Sequence, residues 1–243
     1  MKCVVIAAGQ GTRLRSMAAS KPLAEVHGAP LLEHILRSAK AGGATEFVVV
    51  TGYEAERVEA ALPALAARAG VKVEAVRNPE WHRPNGLSVL AAAPRLAGEF
   101  VLLMSDHLFD PAILAATLAG RRPDAALTLA ADYAIDNPLL DLDDATKIEA
   151  DGEGRIVRIA KTLPRYNAID TGIFVASPPL FEAIRASVAE GGSGSLSEGV
   201  ARLAADGRAF AFDIGSRWWL DVDDEAAFRR AEAELPGALG AVS

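Results

Sequence analysis

The chain begins with Cys3-Val4-Val5-Ile6-Ala7-Ala8, an unbroken apolar run closed by Gly9. With Lys2 at its head, such a run suits a strand buried on both faces of a parallel sheet. The period then changes. Leu31, Leu32, Ile35, Leu36 and Ala39 recur at helical spacing, and Pro30 suits a first helical turn, so a helix is predicted over Pro30–Ala41. Phe47–Val50 reads as the next strand, Glu54–Leu62 as the next helix, and Val71–Val76 as a strand by its alternation. A short helix over Ser88–Ala93, a strand over Phe100–Met104, a helix over Pro111–Leu118 and a strand over Ala125–Ala130 follow. Strands alternating with helices to residue 130 predict right-handed βαβ crossovers and a mostly parallel sheet.

Past residue 136 the texture differs. Thr146–Ala150 and Arg155–Ile159 flank Asp151-Gly152-Glu153-Gly154, the pattern of a β-hairpin. A strand over Ala168–Val175 and a helix over Pro178–Val188 come next, and Gly191–Ser195 reads as a flexible surface loop. A helix over Leu196–Asp206, a strand over Ala209–Phe212, the apolar segment Trp218–Val222 and a charged helix capped by Asp224 complete the pattern. One domain spanning residues 1–243 fits best, its first half about 1–135, its second about 136–243, with an inserted region around 136–170.

Composition narrows the classes. The chain has 243 residues, 51% of them hydrophobic and 23% charged, enough for a sizeable core. A net charge of −7 argues against a duplex nucleic-acid binder. Cys3, the single cysteine, sits in an apolar run and reads as a small buried hydrophobe. No stretch approaches the roughly 20 apolar residues of a membrane span, and no leader pattern opens the chain, so a cytoplasmic protein is expected.

Gly9 and Gly11 follow the first strand, where glycine lets the backbone approach a ligand and turn amide hydrogens toward oxygen anions. Arg13 and Lys21 add positive charge close behind. A dinucleotide loop would want a third glycine where Leu14 stands, and a P-loop would need Gly-Lys-Ser/Thr. A plain turn would explain the glycines but not the two cations.

The run from Ala7 to Pro30, AAGQGTRLRSMAASKPLAEVHGAP, resembles the signature of the sugar-nucleotide pyrophosphorylase and cytidylyltransferase superfamily. The resemblance implies an α/β fold with three layers, α/β/α: a Rossmann-like mixed, mostly parallel sheet of the nucleotide-diphospho-sugar transferase type. The small hairpin would be its inserted acceptor region. It further implies that Ala7, Ala8, Gly9, Gly11 and Thr12 wrap a nucleoside triphosphate, that Arg13 and Lys21 neutralise it, and that Asn85, Gly86 and Ser88 close over base and ribose. Read without it, Asn85-Gly86 is equally a tight turn and Ser88 a helix cap.

Asp106 ends an apolar strand on the edge of the sheet where open α/β folds bind ligands, and a carboxylate there can hold a Mg²⁺ that also touches phosphates. Alone it could equally be a loop residue. The family pattern places the second metal-binding aspartate after a tryptophan-containing apolar stretch, at Asp221, with Asp223 as the fallback. His107 has no second His or Cys at zinc spacing and reads as a neighbour of the metal or of the acceptor. His27, His34 and His82 are scattered and read as ordinary.

The segments MSDHLFDP, DDATKIEADGEGRIVRIAKTLPRYNAIDTGIFV and WWLDVDDEAAFRRAEAEL resemble the inositol-1-phosphate cytidylyltransferase group. That implies CTP and a phosphorylated small alcohol as substrates, with Lys161 on the acceptor phosphate, Lys147 assisting or ordering the hairpin, and Asp170 toward acceptor hydroxyls. The membrane transferase domain fused in bifunctional members is expected to be missing. Asp141, Asp143 and Asp144 read as a solvated acidic loop. Tyr133, Tyr166 and Trp81 are too few for a choline cage, which favours a polyol phosphate over phosphocholine or an aminoalkyl phosphonate. A uridylyl- or thymidylyltransferase acting on a sugar 1-phosphate, and a non-catalytic nucleotide-binding regulator, are the competing readings. The complete charge set favours an enzyme. The Trp218-Trp219 pair offers either core or a homodimer contact.

Overall fold

The computed structural model describes residues 1–14, 19–136 and 141–238. Its strands are β1 (Lys2–Ala7), β2 (Glu25–Val26), β3 (Ala29–Pro30), β4 (Glu46–Thr51), β5 (Val73–Arg77), β6 (Phe100–Met104), β7 (His107–Phe109), β8 (Leu127–Asp132), β9 (Lys147–Ala150), β10 (Ile156–Ala160), β11 (Ala168–Ala176), β12 (Ala209–Asp213) and β13 (Trp219–Asp221). Its helices are α1 (Leu31–Ala41), α2 (Ala55–Ala69), α3 (Gly86–Ala92), α4 (Pro111–Gly120), α5 (Pro179–Ala189), α6 (Leu196–Ala205) and α7 (Glu225–Ala238).

Nine of the strands form one mixed sheet. The parallel set β5-β4-β1-β6 meets β11, which runs antiparallel to β6, and β12 pairs parallel with β8 beyond it. Buried strands alternate their side chains between two faces. Cys3, Val5 and Ala7 therefore join α1, α2, α4 and α7 in one core, while Val4, Ile6 and Ala8 join α3, α5 and α6 in the other. These are the three layers that the resemblance implied, and Cys3 is fully buried. No described helix is long and apolar enough to cross a membrane.

Three local features depart from the expected pattern. Helix α2 runs seven residues further than predicted, through Pro63. Val58, Leu62, Leu65 and Ala69 keep a buried stripe at helical spacing, which outweighs the lost backbone bond until Gly70, at φ 65°, ends the helix. Strands β2 and β3 form a hairpin around His27 and Gly28, both at positive φ, the geometry of a two-residue turn. Strand β7 was not predicted, and it pairs with β13 so that Asp221 lies opposite His107. Leu108, Phe109 and Leu220 are buried on that small ribbon, each worth about 2 kcal/mol in burial, and so anchor the polar residues beside them.

Strand β11 shapes the site. Ile173–Ala176 pair with β6, and Ala168 and Ile169 pair with β9. Because Ile169 also pairs with Asp132 of β8, β9 lies on the same edge of β11 as β6. Asp170–Gly172 fall between them, where the register shifts and Gly172 takes φ 74°. The sheet thus opens a gap just beyond the carboxyl end of β6.

Candidate active site

Two clefts meet at that gap. One, of about 340 Å³, is lined by Gly9, Gly11, Thr12, Arg13, Lys21 and Ser88 among others. The second, of about 500 Å³, is lined by His107, Lys161, Asp170, Trp219 and Asp221 among others. Asn85, Met104, Asp106 and Asp223 border both.

In the first cleft the glycines act differently. Gly11 sits at φ 56°, and a Cβ there would lie inside van der Waals contact of Lys21 Cβ and 2.9 Å from its Cδ. Nothing lies within 4 Å of the place a Cβ would take on Gly9, so Gly9 keeps open space rather than packing. Lys21 is buried, at 7% exposure, and its ammonium lies 2.6 Å from Asp106 Oδ2 and against Asp223. Burial works against its charge, but Asp106 and Asp223 outweigh burial and raise the ammonium above its usual range. Arg13 is half exposed; its guanidinium lies 2.6 Å from Asp223 Oδ2 and also pairs with Asp144.

The junction is a cluster of carboxylates around one imidazole. His107 Nδ1 lies 2.8 Å from Asp106 Oδ1 and 3.7 Å from Asp221 Oδ1. Burial opposes a charge on His107, but Asp221 and Asp106 prevail and push the imidazole up to about 9. Burial opposes ionisation of Asp106 too, yet Lys21 and then His107 hold its carboxyl well below the usual range. Asp221 goes the other way: burial pushes it up to about 7, with Asp106 and Asp223 reinforcing burial against the pull of His107. Its Oδ1 is buried without a hydrogen-bond partner. Ligand atoms of Asp106, His107 and Asp221 lie within 4.8 Å of one another, a spacing that could hold a metal ion. The His107 ring stacks on Trp219 at 6.0 Å between centroids, and a side chain at Gly172 would collide with that ring.

Across the second cleft, Lys161 follows β10 and pairs with Asp144. Asp170 faces the cleft while accepting a 2.7 Å bond from the Gly172 backbone N–H; burial pushes its carboxyl up to about 6. Ordinary surface aspartates do not sit there.

The sequence matches a known family: residues 3–203 match the MobA-like NTP transferase domain. The chain belongs to that family. Among curated relatives of this MobA-like domain, the bifunctional IPC transferase and DIPP synthase of Rubrobacter xylanophilus is 38% identical over 237 residues, covering 96% of this chain and 51% of that protein. The CMP-5′-(3-aminopropyl)phosphonate synthase of Streptomyces rubellomurinus is 33% identical, covering 96% of this chain and 38% of that protein. The chain thus spans about half the length, or less, of these curated relatives. Among solved structures, the inositol-1-phosphate CTP transferase from T. maritima superposes with a TM-score of 0.85 at 24% identity, covering 98% of this chain and 97% of that one. This likeness shows the shared fold.

Most of the residues anticipated for this MobA-like domain converge. Gly9, Gly11, Thr12, Arg13, Lys21, Asn85 and Ser88 line the first cleft, and His107, Lys161, Asp170 and Asp221 the second, with Asp106 in both. Ala7 and Ala8 do not line the cleft: they are buried in the core, and the Ala8 carbonyl accepts from Tyr53 N–H. Gly86 packs against the backbone of Gly194 and Ser195. The Asn85 side-chain oxygen accepts from Leu196 N–H at 3.0 Å, and Ser88 Oγ accepts from Asn78 at 2.9 Å. Lys147 turns away, donating to the carbonyls of Leu142 and Lys161, which orders the hairpin.

Three expectations need correction. Asp144 is no solvated acid but bridges Arg13 and Lys161. Asp223, the alternative metal ligand, lies against Lys21 and Arg13. Trp81 borders the first cleft rather than the acceptor rim, and Tyr133 and Tyr166 line neither. The Gly191–Ser195 loop is at the surface but tied down: Glu198 accepts from Ser187 Oγ, Ser193 N and Oγ, and Gly194 N at 2.7–3.1 Å. The tryptophan pair packs on the core, Trp218 donating to Glu234 and Trp219 to Asp132. The sequence alone marks Trp219 only as core or contact surface; its place beside His107 depends on the β7–β13 pairing, which no local pattern announces.

Proposed function

We propose that the chain transfers the cytidylyl group of CTP to the phosphate of inositol 1-phosphate, giving CDP-inositol and pyrophosphate. The observation carrying this reading is the meeting of a cationic glycine-loop cleft and a Lys161–Asp170 cleft at Asp106. One cleft suits a triphosphate, the other a phosphorylated polyol, and their shared border is where a phosphate oxygen could face the α-phosphorus.

The acceptor oxygen attacks the α-phosphorus in line as the bond to the β-phosphate oxygen breaks, and pyrophosphate leaves with that electron pair. A phosphate monoester is largely dianionic near pH 7, so no general base is required. Arg13 and Lys21 stabilise charge gathering on the α-phosphate and the leaving pyrophosphate. Lys161 offsets the repulsion between two anionic substrates, and Asp170 accepts from acceptor hydroxyls. His107, bonded to Asp106 and stacked on Trp219, orients that carboxylate.

The residues fit a divalent cation, Mg²⁺ in this reading. Asp106 and Asp221 would hold it through oxygen, and the orphaned Asp221 Oδ1 is the atom such an ion would satisfy. Bound there, it would supply positive charge beside the reacting phosphates.

Among the described residues, Trp219 and Phe174 bring the indole and phenyl rings to the acceptor cleft, fewer than a cage for a trimethylammonium group would use, which supports a polyol. Pyrophosphate release across CTP, UTP and dTTP, each with inositol 1-phosphate, phosphocholine, aminopropylphosphonate and a sugar 1-phosphate, tests the pairing. CTP with inositol 1-phosphate should be fastest, and Asp106→Asn should lower turnover about 10²–10³-fold. Near-full turnover of that variant would reject the site; silence with every pair would favour a binding protein.

A further inference from the structure

Every cation assigned to a phosphate is paired with a carboxylate. Lys21 lies between Asp106 and Asp223, and Arg13 between Asp223 and Asp144. Lys161, on the far side of the junction, pairs with Asp144 as well. Among these acids Asp144 is the one that joins phosphate-assigned cations of both clefts: Oδ2 accepts from Arg13 and Oδ1 from Lys161. Arg13 and Asp144 are 131 residues apart in sequence, so this carboxylate straps the glycine loop to the hairpin side of the site.

We infer that Asp144 is an autoinhibitory strap that couples the two substrate clefts. This rests on the proposed assignment of Arg13 to the nucleotide and Lys161 to the acceptor. A triphosphate reaching Arg13 must displace Asp144 Oδ2, and an acceptor phosphate reaching Lys161 must displace Oδ1. Whichever ligand arrives first removes one of the two ties. The carboxylate left on a single partner is held less firmly, so the second ligand displaces it at lower cost. Shared cost of this kind is a coupling free energy, and coupling is reciprocal. Each substrate therefore tightens the other's binding, and the free enzyme is protected from holding one phosphate-bearing ligand at high affinity without the other. Exposed ion pairs are each worth up to about fivefold in an equilibrium constant, which sets the scale.

The test measures binding of cytidine 5′-(α,β-methylene)triphosphate with Mg²⁺, by titration calorimetry, with and without saturating myo-inositol 1-phosphate. The methylene bridge blocks transfer, so binding alone is read. Wild type should bind the analogue about fivefold more tightly when the acceptor is present. Asp144→Asn should bind the analogue more tightly than wild type in the absence of acceptor, and the acceptor's effect should shrink to near onefold. Asp143→Asn removes the same charge from an exposed neighbour whose side chain reaches neither cation, and it should retain the wild-type coupling. Equal coupling in wild type and Asp144→Asn overturns the strap while leaving the proposed function standing. A wild type without coupling does the same. Failure of all three proteins to bind the analogue overturns the proposed function and the strap with it.

Discussion

Replacing Gly11 by alanine tests whether the glycine loop and the buried lysine are one mechanical unit. Gly11 holds φ 56°, where an alanine costs about 1–2 kcal/mol. The added methyl would also overlap Lys21 Cβ, close to the backbone, where no flexible side-chain end can swing aside. Forcing an atom into a packed site of this kind costs about 1–3 kcal/mol more. Together these predict a loss of about 2–5 kcal/mol, which in a chain of this length lowers the unfolding midpoint by roughly 5–15 °C. Lys21 would be pushed off Asp106, so turnover should fall by about 10²–10³ as well. Gly9→Ala is the comparison: with open space at its Cβ, it should leave the midpoint within about 1–2 °C and act on the KM for nucleotide instead. Calorimetric melting and a pyrophosphate-release assay on both variants decide the matter. A Gly11→Ala protein that melts and turns over like wild type would refute the coupling, as would a Gly9→Ala protein that is the less stable of the two.

Asp221 carries a buried, unpartnered oxygen beside two other carboxylates, an arrangement that costs stability in the metal-free chain. Asp221→Asn should therefore melt at or above the wild-type midpoint in a chelator while losing about 10²–10³ in turnover; a lower midpoint would contradict the reading. Glu198 is held at about 2, well below the ordinary glutamate value of 4.5, chiefly by the bond from Ser187 and then by Ser193 and Gly194. Its folded value is depressed, so its contribution is complete above about pH 4.5 and fades as pH falls toward 2. Glu198→Gln should remove about 2 kcal/mol at neutral pH and flatten that acid limb of the stability profile, measured by denaturant melts across pH. An unchanged limb would place the acid sensitivity elsewhere.

Much of the fold was legible because its strands are buried on both faces and its helices on one. Phe100–Met104 was placed to the residue, and the Thr146–Ile159 hairpin to within a residue. The glycine loop was equally legible, since its chemistry is contiguous in the chain. What escaped was nonlocal. Pro63 suggests a helix end until the buried stripe that continues past it is known. Asp144, amid Asp141 and Asp143, has the composition of a solvated loop, and only its reach to Arg13 and Lys161 distinguishes it. Asn85 looked free to read a base, yet its oxygen is engaged by Leu196, 111 residues away.

The sequence by itself determined the alternation of elements, the burial of Cys3 and the position of the cationic loop after β1, because these depend on local period and adjacent residues. Tertiary structure alone decided how the carboxylates divide their work. Asp221 and Asp223 are two residues apart, so strand alternation puts them on one face and cannot separate them. The pairing of β13 with β7 sets Asp221 opposite His107, and the fold of the glycine loop brings Lys21 and Arg13 onto Asp223. A carboxylate's role follows from the charge it faces, and that charge is supplied by a segment some 200 residues distant in the chain.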